Sequence, residues 1–256
     1  MLSRSQESRV LALHSRRGRE KKGEFLIEGV RLAEELPGSP VVPRLALISP
    51  SLEDTPRGRE LARRLRAAVE TVEVTDAELA RLATTETTQG VLAVAAIPRP
   101  VLTDVRITDD TLVVVLDAVQ DPGNFGTVVR SADAFGAALI AALPGTVDPW
   151  NPKVVRSAAG SSLRVPIVET TLDVLLSHLR ASSCALFGAD MSGDSVEEVD
   201  STGPVALALG NEGAGLSEAV RDACDRLVSV PIRGPAESLN VGVAAGILMY
   251  LISRRK

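Results

Sequence analysis

Residues 111–137 read TLVVVLDAVQDPGNFGTVVRSADAFGA, and this stretch decides the architecture. Its opening TLVVVLDAV (111–119) is a near-continuous apolar run, the signature of a strand buried on both faces. A turn at DPGN follows, then a helix through TVVRSADAFG and a second apolar strand, AALIAAL, at 137–143. Further along come CALFGAD (184–190), PVALALG (204–210), LVSVPI (227–232) and a helix from about Asn240. Strands alternating with helices predict an α/β fold on a mainly parallel sheet.

Upstream, IPRPVLTDVRITDD (97–110) interrupts the pattern, so the chain divides into residues 1–97, a linker at 98–108, and residues 109–256. A length of 256 residues suits two domains. The first domain alternates LALIS (45–49), a helix at about 57–69, TVEVT (71–75), a helix from Asp76 with Thr75 or Asp76 as its cap, and GVLAVAAI (90–97). That predicts a small α/β sandwich. PGSPVVP (37–43) is a local break within it.

Composition narrows the function. Aromatic residues are 2%, too few for an RNA-stacking platform, and the net charge of −5 is wrong for a uniformly basic nucleic-acid binder. The charge is nevertheless uneven. Arg4, Arg9, Arg16, Arg17, Arg19, Lys21 and Lys22 crowd the start, and Arg57, Arg59, Arg63, Arg64 and Arg66 share one helical stretch. Five acids and no base lie between Asp190 and Asp200. A basic first half suits a polyanion-facing module or, alternatively, a solvated helix surface. Cys184, Cys224, His14 and His178 supply neither a disulfide framework nor a metal cluster, so no metal is expected. The longest apolar run, VGVAAGILMYLI (241–252), is shorter than the ~18 residues that suggest a membrane span. With no apolar secretory core at the N-terminus, the expectation is a cytoplasmic protein that meets no membrane.

Three loops follow the C-terminal ends of the predicted strands, where ligands of open α/β sheets bind. In 117–137, glycines 123 and 126 flank Asn124, and Arg130 follows in the helix; a turn and helix start of this kind can hold an anion, or simply reverse the chain. In LALGNEGAGLSEAV (207–220), three glycines surround Glu212 in a spacing that is neither the dinucleotide fingerprint nor a P-loop. Ser217 there is placed to cap the next helix. In VPIRGPAESLNVGVAAGI (230–247), Ser238 and Asn240 precede a helix rich in small residues, and each suits a cap as well as a ligand contact. Neither histidine lies in a motif, so a serine hydrolase is poorly supported.

Taken in order, NxxxxxR, LGNEGxGL and VPIxGxxxSLNV resemble the motifs of the SpoU/TrmH family in the SPOUT superfamily, S-adenosylmethionine-dependent RNA 2′-O-ribose methyltransferases. VDPWNPKVVRSAAGSSLRVPI (147–167) is similar to the segment joining that family's first two motifs. More loosely, GEFLIEGVRLAEE (23–35) and TTETTQGVLAVA (84–95) resemble its N-terminal RNA-binding extension.

The resemblance implies a parallel α/β SPOUT domain with a deep trefoil knot, which nothing in periodicity foretells. It also implies a smaller N-terminal α/β RNA-binding domain and a homodimer, for which the apolar C-terminal helix ending MYLISRRK is available. Asn124, Arg130, Glu212, Ser238 and Asn240 become the catalytic cluster. Gly188, Leu209, Gly210, Asn211, Gly213, Val230, Pro231, Ile232 and Leu239 become S-adenosylmethionine contacts, and Arg16, Arg17, Arg19, Lys21, Lys22 and Arg130 RNA contacts. A free arginine titrates above about 12, so Arg130 is read as stabilising a developing alkoxide and holding a phosphate rather than as a base. Ribosomal RNA is the favoured substrate. Transfer RNA, a self-protecting resistance methyltransferase, and a non-catalytic RNA-binding or assembly factor are the alternatives. Another nucleotide-dependent α/β enzyme is disfavoured because its fingerprints are missing.

Overall fold

The computed structural model describes residues 2–199 and 202–254. Asp200, the last acid of the acidic run, and Arg255 and Lys256, with which the expected C-terminal helix closes, lie outside them. The described residues form two compact units.

The first unit contains a four-stranded sheet of β1 (Glu24–Glu28), β2 (Pro43–Ile48), β3 (Thr71–Glu73) and β4 (Val91–Ala96), in the order β1-β4-β2-β3. β4 pairs antiparallel with β1 and β2, and β2 runs parallel to β3. Strand periodicity explains its layers. Phe25, Ile27, Ala46, Ile48 and Ala93 join one core, whereas Leu26, Leu45, Leu47, Leu92 and Val94 join another. Helices cover both faces: α1 (Arg4–Ala12), α2 (Arg16–Lys22), α3 (Val30–Ala33), α4 (Pro56–Ala68) and α5 (Asp76–Leu82). Thr55 caps α4, which buries Leu61, Ala62 and Leu65 and turns its arginines outward. Thr75, not Asp76, caps α5, and the Glu78 carboxylate completes a reciprocal capping box with it. The sandwich expected from 45–97 therefore gains a strand, β1, and the helices before it.

The second unit carries a six-stranded, all-parallel sheet: β5 (Leu112–Leu116), β6 (Leu139–Ala142), β7 (Ile167–Glu169), β8 (Ala185–Ser195), β9 (Val205–Leu209) and β10 (Arg226–Ser229), ordered β10-β8-β9-β5-β6-β7. Its helices are α6 (Pro122–Ala134), α8 (Leu172–Ala181), α9 (Glu218–Ala223) and α10 (Val241–Ser253), while α7 (Pro152–Ser157) lies between β6 and β7 in the chain. β5 and β9 are wholly buried, as an apolar strand flanked on both faces must be. From β5 the chain builds one side of the sheet, then crosses to build the other. The β5/β9 boundary is therefore the switch point where ligand crevices form.

Several boundaries differ from expectation. The strand at 184–190 runs on to Ser195, because β10 pairs with it again at Asp194 and Ser195 after a register shift. The strand expected at 227–232 stops at Ser229, two residues before Pro231, which has no N–H for the ladder. The linker is no free tether: Leu102 is buried in the second unit's core, with Val105 and Ile107 packed against it. The first unit also takes in Trp150–Arg164. Trp150, Val155 and Leu163 belong to its core, with the Trp150 ring 4.6 Å from that of Phe25. No helix of the described residues is long and apolar enough to cross a membrane.

Candidate active site

At the switch point, the turns that follow β5, β9 and β10 are locked together by side chains. The turn after β5 begins at Asp117, a buried residue whose carboxylate accepts the Ser217 N–H at 2.6 Å. Ala118 follows with φ of +55°, a conformation unusual for a side chain that bears a Cβ. The Thr146 hydroxyl accepts its N–H at 3.1 Å, and the Asn211 amide donates to its carbonyl at 2.9 Å. Asn211 Oδ1 in turn accepts the N–H groups of Gly213 and Ala214. The side chain of Asn211 is thus committed to shaping its own loop and tying it to the turn after β5.

Glu212 reaches back across the same gap. Its carboxylate accepts the backbone N–H of Gln120 and of Asp121 at 3.2 and 2.9 Å, and the Asn124 side-chain amide at 3.0 Å. Asn124 Oδ1 then accepts from the Asn240 amide at 2.8 Å, and Asn240 Oδ1 caps α10 by accepting the N–H of Gly242 and Val243. One chain of hydrogen bonds therefore runs Glu212–Asn124–Asn240 and joins all three loops. Partial burial pushes the Glu212 carboxyl up, but the bonds from Asn124, Asp121 and Gln120 outweigh it and hold the group below the usual carboxylate range. Glu212 is an acceptor here, not a proton donor.

Beside this chain lies a cavity of about 810 Å³. Leu209, Gly210, Asn211, Glu212 and Gly213 line it from one loop, and Val230, Pro231, Ile232, Ser238 and Leu239 from another. Gly210 permits the close approach of two backbone segments: a Cβ there would sit 2.1 Å from the Gly215 carbonyl carbon. Asp190 and Glu237 also line the cavity, and among its described lining residues there is no lysine or arginine. Asp190 is ion-paired with Arg221.

The remaining expected residues lie elsewhere. Gly188 does not line the cavity; it packs against Cys224, Leu216 and Leu227, where an added Cβ would meet each within 3 Å. Asn124 and Asn240 flank the cavity through their hydrogen bonds rather than lining it. Arg130, exposed on α6, makes no ion pair or hydrogen bond among the described residues. Arg19 is withdrawn from the RNA-facing set: at 3% exposure, its guanidinium donates to the Leu13 and His14 carbonyls at the end of α1. Arg16 pairs with Glu20, whereas Arg17, Lys21 and Lys22 are exposed. The second arginine cluster is largely neutralised, with Arg57 on Glu34, Arg63 on Glu60, and Arg66 on both Glu53 and Glu73. Asp117 was not foreseen, although a lone carboxylate ending an apolar strand was the available signal.

The SpoU rRNA Methylase family model matches residues 111–250, the stretch that contains all three loops. The chain belongs to this family. The MRM3-like substrate binding domain matches residues 8–93. Similar relatives span nearly the whole chain. The 23S rRNA (guanosine(2553)-2′-O)-methyltransferase RlmP of Bacillus subtilis is 36% identical, covering 93% of this chain and 92% of its own. A 23S rRNA (uridine(2479)-2′-O)-methyltransferase of Streptomyces viridochromogenes is 37% identical over 95% of this chain and 87% of its own. Among solved structures, the SpoU methyltransferase AviRb from S. viridochromogenes, in complex with the cofactor AdoMet, superposes with a TM-score of 0.88 at 33% identity, covering 100% of this chain and 98% of that one.

Proposed function

We propose that this SpoU-family protein methylates a ribose 2′-hydroxyl of ribosomal RNA, using S-adenosylmethionine. The observation that carries the reading is the Glu212–Asn124–Asn240 chain standing beside an acid-lined, glycine-cornered cavity. The cavity suits the cofactor on its own chemistry. Backbone at 209–213 and 230–232, interleaved with Leu209, Val230, Ile232 and Leu239, offers polar edges between apolar walls, as an adenine requires. Glu212 and Glu237, with no lysine or arginine among the described lining residues and with Asp190 already paired to Arg221, favour a ligand that carries positive charge.

When bound, S-adenosylmethionine supplies a methyl group activated by its sulfonium, which the ribose oxygen takes with release of the neutral thioether. The protein's part is alignment and charge. Glu212 is a positioning residue: it fixes the 120–124 turn and the Asn124 amide, and through Asn124 the start of α10. Ser238, on the cavity wall, donates to or accepts from the ligand. Arg130 makes no ion pair or hydrogen bond among the described residues, so its guanidinium pairs with the RNA phosphate and stabilises the oxygen as it loses its proton to water or a neighbour. Ribosomal rather than transfer RNA is favoured because the full-length relatives are named for 23S rRNA. The family's deep trefoil knot around 186–240, a cytoplasmic site of action, and a homodimer through α10, where Val243 and Tyr250 are exposed at 49% and 45%, complete the reading.

Methyl-labelled S-adenosylmethionine incubated with unmodified ribosomal or transfer RNA, followed by digestion to nucleosides, tests it. Label on a ribose 2′-oxygen of the ribosomal pool, abolished by Arg130→Ala, is the expected result. Label on a base would overturn the chemistry, and label confined to transfer RNA the substrate. Cofactor binding with no label in either pool would favour an assembly factor. Light scattering on the eluting protein separates dimer from monomer.

A further inference from the structure

A second cavity, of about 300 Å³, lies in the first unit between β1, the start of α3, the loop before β4, and α7. Its buried carboxylate, Glu28, is 8% exposed and already satisfied: it accepts the Thr84 N–H and hydroxyl at 3.1 and 2.5 Å and the Thr85 hydroxyl at 3.2 Å. Arg156 donates to the Thr84 hydroxyl at 2.6 Å and stands 3.8 Å from Glu28, balancing its charge. That leaves most of the guanidinium's N–H groups for another partner. Arg31, also on the wall, is exposed and has no ion pair among the described residues. The Gln89 carbonyl accepts the Val30 N–H at 2.9 Å, which turns its amide donors to other use, and the Thr87 and Thr88 hydroxyls have no partner among the described residues.

The wall therefore offers two arginines against one acid, a net positive charge, with several uncommitted hydrogen-bonding groups and an apolar remainder that includes Leu32 and Val91. Two planar guanidinium groups recognise phosphate and stack on bases, and amide and hydroxyl groups read base edges. The volume suits one nucleotide lifted out of its stack, not a duplex, which needs a long convex-fitting surface. We propose that this cavity holds a single unstacked nucleotide of the RNA substrate, with a phosphate set against Arg31 and Arg156, at a place separate from the methylated ribose. The inference rests on the RNA-methyltransferase reading above. It adds that the site is incomplete within residues 8–93, because Arg156 comes from the segment between β6 and β7.

The test uses the full chain with in vitro transcribed 23S ribosomal RNA, and separately with uridine and adenosine 5′-monophosphates. Arg31→Ala and Arg156→Gln are each expected to raise Kd and KM for the RNA about tenfold, the scale of one charge-assisted contact, with little change in kcat. Each is also expected to flatten the dependence of log Kd on log salt by about 0.7, one single-strand phosphate contact. Arg63→Ala, whose partner is Glu60, should change neither. Loss of a merely structural arginine would not alter the salt slope. Wild-type Kd and slope in both variants would overturn the proposal while leaving the methyltransferase reading intact. Arg31-dependent binding of a monophosphate with unchanged RNA affinity would overturn it in favour of a free nucleotide. A wild-type protein that methylates no RNA would bring down the functional reading, and this one with it.

Discussion

Glu212 organises the site by accepting hydrogen bonds, and its replacement separates positioning from binding. In Glu212→Gln one oxygen remains an acceptor, but the N–H₂ that replaces the other faces either the Gln120 N–H or the donors of Asp121 and Asn124 donor to donor. The turn that carries Asn124 shifts, and kcat is expected to fall by about a hundredfold, the scale of a 1 Å misplacement. Cofactor affinity measured by titration calorimetry should stay within a few-fold. The same residue sets a pH dependence. Its folded carboxyl titrates below the ordinary value of 4.5, so the stabilisation is complete above that value and is lost as pH falls through the lower, folded one. Wild-type protein should therefore lose more thermal stability than Glu212→Gln between pH 6 and pH 3.5.

Elements are held by their first residues, and α10 shows how much rests on one of them. Asn240 caps it through Oδ1 and reaches Asn124 through its amide. Asn240→Ala loses the cap and the bond to Asn124 and should cost about 1 kcal/mol, a drop in Tm of about 2–4 °C by calorimetry. Asn240→Asp keeps the capping oxygen but sets a carboxylate against the Asn124 carbonyl oxygen, so it should restore Tm without restoring turnover. Elements of this kind were legible where a local rule decides them: the apolar run of β5, the caps Thr75 and Ser217, and the start of α10 at Asn240. β1 was missed as a strand because EFLIE shows no polar alternation, its two faces serving two cores. The extension of β8 to Ser195 was illegible because a partner strand across the register shift creates it. Of the site, the sequence order of the motifs brought out Asn124, Glu212 and Asn240. Whether an arginine faces water or carbonyls depends on tertiary packing, which is why Arg19 was misplaced.

At the scale of the whole molecule, the chain leaves its first unit at Pro98 and returns to it at Trp150 before leaving again after Arg164. The return supplies Trp150, Val155 and Leu163 to a core otherwise built from residues 25–95. Trp150→Ala should cost about 3–5 kcal/mol in the first unit, read as a lower urea midpoint by circular dichroism. A fragment ending at Pro98 should unfold with little cooperativity, because the face around Phe25 loses its cover. A boundary drawn by sequence continuity thus cuts through a core.

The protein contains one tryptophan. Since that residue is Trp150, seated against Phe25 and 5% exposed, emission excited at wavelengths that spare Tyr250 originates from a single dry location. A red shift on adding denaturant would time the opening of that location alone, without any attached dye, while the parallel sheet stayed optically silent.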